Sequence, residues 1–441
     1  MSDGSVKPSA FALLPFLVFA VFYVGFSLYA KHLGMDMPFY KVSMPVAFLV
    51  ASAVSVALNR RKTLAEKIDM YAFGMGETNI MMMCLIFILA GSFATVAKGS
   101  GAVDAAVTIA QALVPARLMV AGVFLVSCLI SLAIGTSCGT IAAVTPIALG
   151  FAGPLHLEPT LLMGAVIGGA MFGDNLSMIS DTTIAATRTQ NVLMKDKFRA
   201  NVLIALPAAL AALAAYAVVG ATDGAVGQTP AVTWQHLVLV SPYVLILVLA
   251  LAGLNVMMLL FAGTLLSAVV GCLLGKFACF GALDLVGKGT LGMSETLIVA
   301  ILAGGLFRSV QVNGGILWLT QKIAKLIRGP RTCELGVSLL VAAVNCFTAN
   351  NTVAIVIAGP IAKECSDTFR ANPVRIASVL DTVSCVVQGV IPYGAQILIA
   401  IGVAKGLDVA VDSLALIKCL YYQPLLLVAV LVSILMSRAR R

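Results

Sequence analysis

The sequence predicts an all-α, polytopic membrane protein made of two inverted-topology repeats, each with a re-entrant hairpin and a broken transmembrane helix. Three observations lead there. The 441 residues are 61% hydrophobic and 11% charged, whereas a soluble domain is about 45–50% apolar and about 25% charged. Apolar runs of about 20 residues recur, enough to cross roughly 30 Å of hydrocarbon. Short motifs also occur twice at a nearly constant offset.

Composition excludes other classes. The net charge of +9 fits basic cytoplasmic loops. No aromatic-rich basic face accompanies it, so no nucleic-acid partner is expected. Among ten cysteines there is no CxxC pair, and there are three histidines. Cys84, Cys128, Cys346 and Cys385 lie in apolar runs and read as small buried hydrophobes, not as a disulfide framework or zinc site. HExxH is absent and no histidine lies within the polar stretches, so neither an enzyme nor a cofactor is expected. The run at about 11–30 is too long for a signal-peptide core and reads as a retained helix.

The first repeat, 1–222, has apolar segments at about 10–31, 39–58, 79–115 (interrupted near Lys98), 117–153, 159–190 and 199–222. A polar linker spans 223–235. The second repeat, 236–441, has segments at about 236–252, 254–275, 295–327, 333–363, 373–404 and 417–437. "GMGET" at 74–78 is answered by "GMSET" at 292–296, and "ILAG" at 88–91 recurs at 301–304. Pro146 and Pro159 are matched by Pro360 and Pro373 at one and the same offset, and Gly91 and Gly304 fall at almost that offset too. Such duplication marks transporter scaffolds.

Positive charge orients the halves. Arg60, Arg61, Lys62 and Lys67 follow the second segment, and Lys195, Lys197 and Arg199 follow the fifth. Both loops read as cytoplasmic. In the second half the basic residues flank the fourth segment instead, from Lys322 to Arg331 and from Lys363 to Arg375, and Arg438, Arg440 and Arg441 end the chain. The pattern inverts if the fourth segment of each half enters and leaves on one side. That gives hairpins at about 117–153, from outside, and about 333–363, from inside. Both termini are then cytoplasmic and the linker is outside.

The hairpin tips are "GTSCGT", with Thr136, Ser137 and Thr140, and "TANNT", with Asn350, Asn351 and Thr352. Such tips break a helix and expose backbone groups, which is tolerated only in protein or beside a cavity. The plainer alternative is an ordinary pair of spanning helices with hydroxyls at their contact. The broken helices lie at about 159–190 and 373–404. The first is interrupted by "GDNLSMISDTT", with Asp174, Asn175, Ser177, Ser180, Asp181, Thr182 and Thr183; the second by "QGVIPYGAQIL", with Gln388, Tyr393 and Gln396. Tips and breaks converge on a site rich in oxygen. Hard cations need little else, so sodium at Asp174 and Asp181 fits, and the same carboxylates can carry protons. The competing reading makes them cap residues at a cytoplasmic helix end near Lys195.

Four further charges are accessory candidates. Glu77 and Glu295 begin equivalent segments, which favours a structural role such as capping a helix. Asp381 is a second candidate proton or ion site. Arg308, like Lys98, either snorkels to the interface or serves as a counter-ion.

"FGDNLSMISDTT" resembles the signature of the NhaC family of sodium/proton antiporters, roughly F-G-D-K-L-S-P-L-S-D-T-T. It keeps Gly173, Asp174, Leu176, Ser177, Ser180, Asp181, Thr182 and Thr183, and departs at Asn175, where lysine is common, and at Met178, where proline is common. "VIPYGAQILIA" resembles the family's second segment, with Tyr393 for tryptophan. The resemblance extends over nearly the whole chain. It implies a scaffold at a dimer contact, formed by the first, second and sixth segments of each half, and a transport part that holds the hairpins and broken helices. The expectation is an inner-membrane (plasma-membrane), multi-pass homodimer in contact with lipid, exchanging sodium for protons by alternating access. The alternative is coupled transport of a small organic solute, with the Asn350–Thr352 tip, Gln388 and Gln396 binding the solute.

Overall fold

The computed structural model describes residues 7–58, 62–221 and 231–436. Arg60, Arg61, Arg438, Arg440, Arg441 and most of the linker lie outside the described residues. Among the described residues every regular element is a helix. Eight helices among the described residues are long and apolar enough to cross a membrane, including Ala10–His32, Thr78–Ser100, Met194–Val219 and Val256–Leu273. The protein is an all-helical, polytopic membrane protein. Large apolar side chains such as Leu203, Leu210, Leu265 and Leu273 are exposed, as lipid-facing positions are.

Two helices occupy stretches left between the apolar segments. Leu64–Met75 starts with a capping box: the Thr63 N–H donates to Glu66 Oε2 at 2.7 Å, and the Glu66 N–H donates to Thr63 Oγ1 at 3.3 Å. Lys67 therefore sits in a helix, not in a free loop. Cys279–Gly292 carries an exposed Asp284–Lys288 pair one turn apart. Their charges hid both helices from a reading based on apolar length.

Gly74, Gly91 and Gly304 of the duplicated motifs lie where these two helices cross their neighbours. A Cβ on Gly91 would strike the Gly289 carbonyl, and one on Gly289 the Gly91 carbonyl, where Thr78–Ser100 crosses Cys279–Gly292. Gly74 and Gly304 meet in the same way where Leu64–Met75 crosses Ser294–Val312, and Tyr71 OH donates to the Leu302 carbonyl at 2.8 Å. Backbones this close leave no room for a methyl group.

Several long apolar stretches divide into two helices. Gly101 and Gly314, at φ +86° and +84°, end long helices and open the short ones Ala102–Leu113 and Gly315–Ala324. Met119–Ile134 turns at Gly135 (φ +73°) into Ser137–Gly150, and Pro330–Thr348 turns at Ala349 (φ +50°) into Asn351–Thr368. Pro159–Leu176 is followed by Asp181–Gln190, and Pro373–Val390 by Ala395–Gly406. Corresponding boundaries share one displacement along the chain: Ser137 to Asn351, Pro159 to Pro373, Leu176 to Val390, Asp181 to Ala395.

Equivalent contacts recur too. Ser131 Oγ donates to the Ala170 carbonyl at 2.6 Å, and Asn345 Nδ2 donates to the Ser384 carbonyl at 2.7 Å. The first half of each broken helix thus packs on the hairpin of its own chain half. The second half crosses over: Asp181–Gln190 packs on Asn351–Thr368, and Ala395–Gly406 on Ser137–Gly150. Gln190 Nε2 donates to the Gly359 carbonyl at 2.9 Å at the first crossing. The apolar window of Pro159–Gln190 is 89% buried, against 33% for Ala10–His32 and for Met194–Val219. The broken helices run through the centre of the molecule.

Candidate functional site

The tips and breaks surround a cavity of ≈ 500 Å³. Its lining includes Thr136 and Ser137, Asp174, Asp181 and Thr182, Asn350, Asn351 and Thr352, and Gln396. Residues far apart in sequence meet here because four helix interruptions fall at one level.

Asp174 lies in the last turn of Pro159–Leu176 and is buried. Its carboxylate meets the start of the helix Ser137–Gly150. The Ser137 N–H donates to Oδ1 at 3.0 Å, and Ser137 Oγ donates to Oδ2 at 2.5 Å. A helix N-terminus offers unpaired N–H groups and a positive dipole end to an anion. Hydrogen bonds to a charged group contribute about 1.5–3 kcal/mol each. Ser137 also accepts from Gln396 Nε2 at 2.9 Å, while Gln388 Nε2 donates to Gln396 Oε1 at 2.9 Å and to the Ala349 carbonyl at 2.7 Å. A chain of side chains from the second broken helix therefore ends on the Asp174 carboxylate. Asp181 opens the second half of the first broken helix and is exposed to the cavity.

The other candidates do different work. Ser180 caps Asp181–Gln190, accepting from the Thr183 N–H at 3.2 Å and donating to the Asp174 carbonyl at 2.9 Å. Thr183 Oγ1 donates to the Ser177 carbonyl at 2.8 Å, and Ser177 Oγ to the Leu132 carbonyl at 3.3 Å. Asn175 Nδ2 donates to the Met171 carbonyl and to Tyr422 OH, both at 3.0 Å. These four are away from the cavity lining; Ser180 and Thr183 satisfy carbonyls that the break leaves open, while Ser177 and Asn175 tie the break to the hairpin and to Tyr422. Thr140 Oγ1 donates to the Thr136 carbonyl, and Tyr393 OH to the Cys346 carbonyl, so these too hold backbone.

The accessory candidates are dispersed. Glu77 caps Thr78–Ser100 through the N–H groups of Asn79 and Ile80. Glu295 pairs with Lys405 at 2.8 Å on the surface. Arg308 donates to Gln311 Oε1 at 2.9 Å and lies 5.1 Å from the centre of the Phe73 ring. Lys98 donates to the Leu407 carbonyl at 2.8 Å, just past the end of Ala395–Gly406. Asp381 is buried and paired with Lys197 at 2.7 Å. Lys197, counted from the sequence among the loop charges, is therefore an interior residue.

One cavity residue went unnoticed in the sequence. Arg188 lines the cavity, and its guanidinium has no hydrogen bond or ion pair among the described residues. Asp181 and Arg188 are close to two helical turns apart, so the two share a face of Asp181–Gln190. That spacing was the available signal.

Known proteins resemble parts of this chain. The chain is 26% identical over 184 residues to the malate-2H(+)/Na(+)-lactate antiporter of Bacillus subtilis, covering 41% of this chain and 39% of that protein. That match spans well under two thirds of the relative's length. The chain is 23% identical over 355 residues to the Na(+)/H(+) antiporter NhaC of the same organism, covering 72% of this chain and 76% of the relative. The solved YdaH transporter of Alcanivorax borkumensis aligns over 95% of this chain and 97% of its own, at 15% identity and a TM-score of 0.43. The model of the Na+/H+ antiporter family matches residues 9–221 and 224–437. On those two matched stretches the chain belongs to the Na+/H+ antiporter family.

Proposed function

We propose that the protein exchanges sodium for protons across the plasma membrane by alternating access, with Asp174 as the principal exchanging group and Asp181 beside it. The observation that carries this reading is the Asp174 carboxylate, buried at a hairpin tip, held by two donors from Ser137 and facing the central cavity. One carboxylate carries one negative charge. It holds a sodium ion while ionised, and a bound proton removes the charge that held the ion. Exchange follows from that competition at one site. Thr182, the two tips and Gln396 supply neutral oxygens to a cation that has shed water.

Two inverted repeats with re-entrant hairpins provide the motion. The constant displacement of helix boundaries and the paired Ser131–Ala170 and Asn345–Ser384 contacts support duplication. The basic residues support inversion. The peripheral helices form the scaffold of a homodimer, and the termini are cytoplasmic. The test is purified protein in liposomes with an internal pH dye, an imposed proton gradient, and sodium added without organic solute. Sodium-dependent collapse of the gradient is expected, and it is lost in the Asp174→Ala/Asp181→Ala protein. Collapse that survives the double substitution rules out this site.

A specific observation favours a second reading, coupled transport of a small organic anion. The cavity of ≈ 500 Å³ is many times the ~30 Å³ that a water molecule occupies in the liquid, and Arg188 offers it a guanidinium with no partner among the described residues. One relative is named as a malate and lactate antiporter. Sodium flux that requires added carboxylate, and that fails in Arg188→Gln, would move the assignment to this reading.

A further inference from the structure

A second cluster of oxygens lies outside the cavity, around Lys197. This residue is in the first turn of Met194–Val219, and its side chain and that of Asp381 are 1% and 0% exposed. An ammonium has three donors and no acceptor. All three are used: Asp381 Oδ2 at 2.7 Å, the Asn175 carbonyl at 3.0 Å and Thr183 Oγ1 at 2.6 Å.

Those oxygens come from three segments. The Asn175 carbonyl is an orphan left where Pro159–Leu176 ends. Thr183 lies in the first turn after the break, and Asp381 in the middle of the second broken helix. Asn201, one turn beyond Lys197, braces the group: its Nδ2 donates to the Asn175 carbonyl and to Asp381 Oδ2, both at 2.8 Å. A carboxylate, a carbonyl and a hydroxyl converging on one point make a donor set for a hard monovalent cation. Asn201 Oδ1 and Asp381 Oδ1, on residues that make this cluster, are buried without a hydrogen bond among the described residues. An ammonium with three protons cannot serve five oxygens; a metal ion has no such limit on direction or number.

We propose that this cluster is a monovalent-cation cage filled by a tethered cation, the Lys197 ammonium, which joins the two broken helices where a bound ion would otherwise do so. The cage is closed to sodium while Lys197 is in it. Removing the lysine opens it, with Asp381 as its charge. The inference concerns binding at a cluster separate from the cavity and stands whether or not the exchange reading does.

The test uses full-length protein in detergent, in an Asp174→Asn background that removes the cavity carboxylate. Melting is followed as sodium chloride replaces choline chloride at constant ionic strength. Adding Lys197→Ala is expected to create a saturable, sodium-dependent rise in melting temperature, with apparent sodium affinity at least tenfold above that of the lysine-containing parent. Adding Asp381→Asn to that protein is expected to abolish the rise. Two results overturn the proposal: no new sodium dependence in Lys197→Ala, or an equal dependence with Asp381→Asn present. If Lys197→Ala is unfolded in choline, recovery of the folded protein in sodium supports the cage, and failure to recover in sodium overturns it. Lys197→Met/Asp381→Asn, which lacks both charges, is expected to fold without sodium dependence.

Discussion

At the scale of single residues, Ser137 links the site to the rest of the molecule. It gives Asp174 both of its hydrogen bonds and takes one from Gln396. Its backbone donor survives replacement by alanine, but its hydroxyl does not. Loss of a hydrogen bond to a charged group costs about 1.5–3 kcal/mol, and about 1.4 kcal/mol is tenfold in affinity. Ser137→Ala is therefore expected to weaken sodium-driven exchange by about 10- to 100-fold in half-saturating sodium, with the fold retained. The liposome exchange assay measures this. An unchanged half-saturating concentration would mean that Ser137 holds Asp174 without bearing on the ion. Asn175 shows the opposite case. It lies inside the signature, yet its side chain faces Met171 and Tyr422, and only its carbonyl accepts from the Lys197 ammonium.

At the scale of elements, the two hairpin tips solve one geometric problem with different residues. Gly135 takes φ +73° at no steric cost, whereas Ala349 takes φ +50° with a Cβ. A left-handed conformation costs an ordinary L-residue roughly 1–2 kcal/mol. Ala349→Gly is therefore expected to raise the melting temperature and Gly135→Ala to lower it. The Gly135 change carries a second penalty, because its Cβ would press on the Ile179 side chain at 2.7 Å. Thermal unfolding of the purified variants checks both signs. Gly173 sets the distance between the first hairpin and its broken helix, since a Cβ there would overlap the Ser131 side chain. The Ser131–Ala170 bond depends on that approach.

At the scale of the whole molecule, the crossed packing ties the halves together. Each broken helix starts against its own hairpin and ends against the other one. A shift in either hairpin is then felt at Asp174, Asp181 and Gln396 together, which suits a site presented alternately to two sides. The proposed inversion of the halves predicts that Gly153, after the first hairpin, lies outside and Arg370, after the second, inside. Gly153→Cys and Arg370→Cys are expected to react with a membrane-impermeant maleimide from opposite faces of oriented vesicles, with the exposed Cys279 replaced in both. Labelling from one face would mean that the hairpins enter from the same side.

By itself the sequence determined the membrane class and marked the interruptions near Gly101, Gly135, Ser177–Ser180 and Ala349. Each of these is written locally, in apolar length, in a glycine or polar interruption, and in a spacing repeated at a constant offset in the second half. The charged helices Leu64–Met75 and Cys279–Gly292 escaped because they fail the test of apolar length. Only the tertiary structure decided which oxygens of "GDNLSMISDTT" face the cavity and which close the broken backbone. A continuous helix has a fixed turn per residue, so spacing predicts facing; across a break that relation is lost. The same reason hid Lys197. One turn before Asn201 it marks a helix face, but that this face meets Asp381, in the other half of the chain, is set by packing alone.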